Sequence, residues 1–243
     1  MPAKEFSHVP NFTAYMGEVV RLLDAGPRGQ KILDIPAGNG LVADQLRERG
    51  HHVTCADINR EKPDYVFADL NARLPFADGE FDAVLCTEGI EHTLTPHGLI
   101  TELTRVTRSG GRIVLSTPNV HCAFSRFQFM CAGSFYQFNP WDGRHLAPGE
   151  MKDRGHISPM SYLQLRYFFR HAGAELTGVS SDRWKKKWLI PLLLPFLAVG
   201  WVWARRGLAR DGHDTPETRA MVRHLFSAPL LFGRSLILVF KKD

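Results

Sequence analysis

Glu88, Glu91 and His92 carry side chains able to do chemistry, at a spacing that can bring them together. A helix starting at Glu88 would put them at i, i+3 and i+4, on one face. Two carboxylates and an imidazole there could polarise a hydroxyl nucleophile, as a base or by holding a divalent ion. They could equally order a loop against the amino acid end of a bound cofactor. Upstream, residues 31–40 read as a short apolar strand ending in the acid Asp34, then a tight loop with glycines at Gly38 and Gly40. A helix should follow over 41–49. Glycines let backbone approach a ligand closely, and the first N–H groups of that helix point back at it. The stretch is a cofactor cradle, unless it is only a strand-turn-helix connection.

Two cofactors could occupy such a cradle. With Ala43 the spacing is G-x-G-x-x-A, and Asp57 ends a second strand over 52–56, close to where a dinucleotide fold places its ribose-binding acid. Asp34 favours a different occupant. Its carboxylate would repel a pyrophosphate, whereas it would attract the amine and sulfonium charges of S-adenosylmethionine, which has no phosphate. Asp57 can accept both ribose hydroxyls.

The run from Asp34 to Gly40 resembles motif I of the class I S-adenosylmethionine-dependent methyltransferases, D-x-G-x-G-x-G, with Pro36 in place of the first glycine and so confined to negative φ. Leu74 to Asp82 resembles that family's L-P-F-x-D-x-x-F-D approach to the fourth strand, 83–86. Glu88 to His92 resembles the E-x-x-E-H of members acting on quinones and on glycan or lipid substrates, and Ser116-Thr117-Pro118-Asn119 ends a fifth strand over 112–119 in a similar way. The resemblance implies S-adenosylmethionine as cofactor, with Asp34, Ala37, Gly38, Gly40, Asp57, Ile58, Asp69, Leu70 and Cys86 around it. In it Asp69, after a third strand over 65–70, meets the adenine amino group and Leu70 packs on the ring. Glu88, Glu91 and His92 become the catalytic candidates, with a divalent metal as an option. The implied fold is α/β, a Rossmann-like seven-stranded, mostly parallel sheet with an antiparallel last strand. That last strand, 235–240, returns between the fifth and the sixth, 175–179.

A chain of 243 residues with 44% hydrophobic content suits one domain over 1–243. Residues 1–7 are polar and no apolar signal segment follows, which predicts a cytoplasmic core. Cys55, Cys86, Cys122 and Cys131 lack metal-site pairing and read as reduced, buried thiols. The net charge of +5 suits an anionic partner, nucleic acid or membrane.

Other elements must position these residues. A leading helix over 11–24 should cover the cofactor mouth, and a helix over 97–107 should precede the fifth strand. Residues 120–158 show no period but carry many aromatics with His121, His145 and His156, as a lid or acceptor-binding loop would. Ser158-Pro159 reads as the cap and first residue of the next helix. An insertion over 182–233 holds Arg183, Lys185, Lys186 and Lys187, then an uncharged run over 188–204 with Trp188, Trp201 and Trp203, then Arg205 and Arg206. Such a segment suits docking on an anionic membrane surface without crossing it, peripheral on the inner face, or burial in a core or dimer seam. No base-reading motif accompanies the charge, which disfavours nucleic acid. The expected activity is O-methylation of a lipid-linked or amphipathic acceptor; the alternatives are a soluble enzyme for a small molecule and a non-catalytic cofactor-binding module.

Overall fold

The computed structural model describes residues 11–59, 62–138, 155–184 and 190–243. The expectations placed on residues 1–7, His145, Lys185, Lys186, Lys187 and Trp188 lie outside these.

Seven strands form one sheet: β1 (Lys31–Asp34), β2 (His52–Asp57), β3 (Val66–Phe67), β4 (Phe81–Thr87), β5 (Thr107–Pro118), β6 (Ala174–Ser181) and β7 (Ser235–Lys242). Their order is β3-β2-β1-β4-β5-β7-β6. The first five pair in parallel, and β7 is antiparallel to both its neighbours. This is the predicted sheet, with the last strand in the predicted place. Around it run α1 (Ala14–Asp24), α2 (Leu41–Glu48), a 3₁₀ turn (Ile90–His92), α3 (Pro96–Val106), α4 (Ala123–Ala132), α5 (Tyr162–His171), α6 (Ile190–Arg210), α7 (Pro216–Leu225) and α8 (Ala228–Phe232).

Side chains alternate across a strand, so central strands here feed two cores. Val84, Ile113, Leu115, Leu236 and Leu238 face the larger one, with α3, α5 and Leu230 of α8. Ala83, Leu85, Val114 and Ile237 face the smaller one, under α1 and α2.

Several elements differ from expectation. The third strand shrinks to Val66–Phe67, because Asp69 accepts the backbone N–H of Asn71 and turns the chain. The stretch 120–158 contains α4, whose exposed side chains include Phe127, Phe129 and Met130 while small Ala123 and Ser125 face inward, so apolar spacing concealed it. The helix expected from Ser158 begins at Tyr162, where Ser161 and Gln164 form a reciprocal capping box. Ser158 instead donates its hydroxyl to the Thr93 carbonyl. Cys55, Cys86 and Cys122 are buried free thiols, but Cys131 is exposed. The uncharged run forms most of α6, which buries Leu193 and leaves most of its other apolar side chains exposed among the described residues.

Asn119, wholly buried, holds the α8 turn to the end of β5 by donating to the carbonyls of Pro229, Leu230 and Gly233. Asn119→Ala would leave these carbonyls short of a donor, and the expected loss is about 2 kcal/mol or more in urea unfolding. A loss under about 0.5 kcal/mol would remove this role.

Candidate functional site

The cradle lies where β1 gives way to α2. The Ile35–Pro36 peptide is cis, and Gly38 (φ 52°) and Gly40 (φ 79°) take left-handed backbone. A Cβ on Gly40 would stand 2.5 Å from the Tyr65 hydroxyl. Ala37 is buried beside Ala43 and Cys55, forming the floor. Asp57 closes the loop from the end of β2: its carboxylate accepts the N–H of Gly38 at 2.8 Å and of Asn59 at 2.9 Å. A carboxylate offers about four acceptor positions, so both oxygens can still receive hydroxyls.

Asp34 is 1% exposed, and neither carboxylate oxygen has a hydrogen-bond partner among the described residues. Burial first, and then the neighbouring charge of Asp57, push its pKa up to about 8. A buried, unsatisfied carboxyl is costly alone and is relieved by a cation. That fits the amine and sulfonium of S-adenosylmethionine and does not fit a pyrophosphate.

The remaining cofactor candidates lie around this centre. Ile58 and Leu70 are half-buried, and Asp69 uses one oxygen on Asn71. Pro36, Leu70 and Gly89 converge: a Cβ on Gly89 would meet the Pro36 ring at 2.5 Å and Leu70 at 3.3 Å, so the cradle abuts the acidic cluster. Cys86 is wholly buried in the larger core, where desolvation raises its thiol pKa; its side chain supports the wall from behind.

Glu88, Glu91 and His92 do not share a helical face as expected. Glu88 takes a left-handed φ of 47°, and only Ile90–His92 form a 3₁₀ turn. The cluster is held by β5 instead. Ser116 donates its hydroxyl to Glu88 at 3.1 Å, and Thr117 donates its own to Glu91 at 3.1 Å. The first two residues of S-T-P-N are thus bonded to the two carboxylates of E-x-x-E-H. Burial raises the pKa of Glu88, while the Ser116 hydroxyl and the Arg234 charge pull it back down.

The structure adds two residues. His156 stacks edge-to-face on His92 with ring centroids 4.9 Å apart, and its Nδ1–H donates to the Gln137 carbonyl at 2.9 Å. Ile157 and Ser158 donate backbone N–H groups to the Glu91 carbonyl, which fastens this segment to the turn. Glu91, His92 and His156 bring one ligand atom each within 4.8 Å of one another, so they, without Glu88, could hold a metal ion. No local spacing connects His156 with His92. The second addition is Tyr15, on α1, whose hydroxyl pKa is raised by burial and then by the charge of Glu88. It stands in the helix's apolar stripe, where sequence alone reads a core residue.

Residues 7–179 match the methyltransferase domain family. This chain belongs to that family. A demethylmenaquinone methyltransferase of Beutenbergia cavernae is 38% identical over 102 residues, covering 37% of this chain and 42% of that protein. A ubiquinone biosynthesis O-methyltransferase of Xylella fastidiosa is 28% identical over 171 residues, covering 65% of each. The matches therefore span less than two thirds of these relatives. Among solved structures, a SAM-dependent methyltransferase from Archaeoglobus fulgidus superposes with a TM-score of 0.57 at 15% identity, over 94% of this chain and 93% of that one. A Burkholderia thailandensis 1,6-didemethyltoxoflavin-N1-methyltransferase, with bound S-adenosylhomocysteine, gives 0.55 at 14%, over 95% and 79%. The methyltransferase domain here thus combines the family's sheet with a buried carboxyl in its cradle and a clamped acidic cluster beside it.

Asp34 makes the ligand-free domain sensitive to pH. Its carboxyl moves from an ordinary 3.8 to about 8 in the fold, so between these values the folded state holds the extra proton. This part of the stability is therefore lost as pH rises through that window. Thermal unfolding from pH 4 to 8 should show that loss in the parent and a flatter profile in Asp34→Asn; parallel profiles would contradict the assignment.

Proposed function

We propose that the chain is an S-adenosylmethionine-dependent O-methyltransferase for a hydroxyl on an amphipathic, lipid-linked acceptor, such as a quinone-type ring with an apolar tail, met at a membrane surface. The observation that carries this reading is the pair of hydroxyl-carboxylate bonds, Ser116 to Glu88 and Thr117 to Glu91, beside a cradle whose Asp34 calls for a cation. The relatives named for quinone methylation support the acceptor class.

S-adenosylmethionine, when bound, supplies a methyl group on a sulfonium cation. The chain's own residues do the rest. Asp57 would accept the ribose hydroxyls, Asp34 would face the positive charge, and Asp69 with Leu70 would receive the adenine. Glu88, its affinity for protons raised by burial, is suited to take the proton leaving the acceptor hydroxyl. Glu91 and His92 would orient that hydroxyl, directly or through a divalent ion held with His156. Fixing the acceptor oxygen in line with the methyl group supplies much of the rate, because alignment replaces a bimolecular encounter.

Thr117→Val removes the hydroxyl that holds Glu91 while keeping the shape of the side chain. A charge-assisted hydrogen bond contributes about 1.5–3 kcal/mol, so turnover should fall roughly tenfold or more. Affinity for S-adenosylmethionine should stay within about a factor of two of the parent, because Thr117 does not touch the cradle. The acceptor is sought by mass spectrometry of lipid extracts from cells with and without the protein, as a species that gains one methyl in place of hydrogen. Unchanged extracts, with no methyl transfer to any lipid fraction in vitro, would contradict the acceptor class.

A further inference from the structure

α6 packs against α7 and α4. Leu193 is buried, and a Cβ on Gly200 would stand 3.7 Å from the Phe226 ring at the end of α7. Apart from Arg205, the less exposed positions, Leu193, Leu197, Gly200, Ala204, Gly207 and Leu208, fall within about 100° of the helix circumference at 3.6 residues per turn. Over roughly 220° of the remainder, from Leu192 to Trp203, every residue is apolar and exposed. Phe196 is 69% exposed, Val199 70% and Trp203 71%.

α4 packs beside this helix. Arg126 fixes it there, donating to the Leu225 carbonyl and lying over the Phe226 ring, whose neighbourhood also includes Gly200. The exposed large apolar side chains of α4 are Phe127, Phe129 and Met130, the last 70% exposed. From α4 the chain leads directly to the acidic cluster: Ser125 accepts the N–H of Tyr136, the Phe138 ring lies 5.4 Å from that of His156, and His156 stacks on His92.

We infer that α4 and α6 together form one membrane-seating face, with α6 lying in the plane of an anionic bilayer surface and the acceptor's polar head reaching Glu91 and His92 past Phe138 and His156. The part concerning the acceptor rests on the function proposed above. Length alone would let α6 cross, since 21 residues rise about 31 Å against a hydrocarbon core of about 30 Å. Its packing against α7 and α4, with Gly200 close to the Phe226 ring, holds it against the body. The strands on either side also pair directly, Ser181 with Leu236, so the insertion leaves and returns on one side. A second copy of the chain would cover a narrow seam, whereas an apolar arc wider than half the helix suits immersion among lipid chains. Charge points the same way: α6 has no acidic residue, and Arg205, stacked over the Trp201 ring, and Arg206 lie at the end where headgroups would meet it.

The test is flotation of the full chain with phosphatidylcholine vesicles, with and without phosphatidylglycerol. Binding should rise with phosphatidylglycerol. It should fall roughly tenfold or more in Phe196→Glu/Trp203→Glu, and measurably in Phe127→Glu/Met130→Glu. Arg205→Glu/Arg206→Glu should lose the dependence on phosphatidylglycerol. Calorimetric affinity for S-adenosylmethionine should be unchanged in all three, which also shows that they fold. Undiminished flotation of the Phe196→Glu/Trp203→Glu chain would overturn the inference. So would a lipid-free dimer that this change converts to monomer, since α6 would then be a seam between copies. A parent that floats but does not bind S-adenosylmethionine would uphold the membrane face and overturn the proposed function instead.

Discussion

The seating of β7 between β5 and β6 is the constraint on which the rest of the structure depends. It pairs with β5 from Arg112 opposite Lys241 to Pro118 opposite Ser235, so Ser116 is held between Thr87 of β4 and Ile237 of β7, and Thr117 against Leu236 of β7. Their hydroxyls are therefore presented rigidly to Glu88 and Glu91. The same seating requires the insertion after β6 to return to the edge it left. Asp182 closes its base by accepting the N–H groups of both Arg234 and Ser235. One antiparallel strand thus sets the acidic cluster and holds the apolar helix against the body.

Two buried carboxyls carry the chemical character of the site. Asp34 and Glu88 both have raised pKa values from desolvation, a cost that a core would avoid by using apolar residues. Their contexts differ. Asp34 lacks any partner among the described residues and is suited to a cationic ligand, whereas Glu88 has the Ser116 hydroxyl and is suited to exchanging a proton. Gly89 and Pro36 bring the two regions into contact, so a ligand in the cradle would end beside the cluster.

Much of this was legible in the sequence, and the exceptions have physical causes. The strand 235–240 is a continuous apolar run because both its faces are buried, and Asp34, Gly38, Gly40 and Asp57 lie close together along the chain's first crossover. The joint between E-x-x-E-H and S-T-P-N was not legible, since it is made by parallel strands β4 and β5 coming side by side. Nor was the backbone of Glu88, whose left-handed turn defeats the helical-face reading. Ser158-Pro159 has the residue types of a helix start, but the Ser158 hydroxyl is engaged by the Thr93 carbonyl and the helix is capped by Ser161 instead. His156 reaches the cluster only through folding, from beyond α4.

The central claim is that the cradle is built for a nucleoside bearing positive charge and no phosphate. Calorimetric titration of the parent chain with S-adenosylmethionine, and separately with NADH, tests it most directly. Saturable binding of S-adenosylmethionine is expected, weakened by Asp57→Ala by roughly the 1.5–3 kcal/mol of charge-assisted hydrogen bonding to the ribose, with no tight binding of NADH. Tight NADH binding, or S-adenosylmethionine affinity indifferent to Asp57→Ala in a folded protein, would contradict the account.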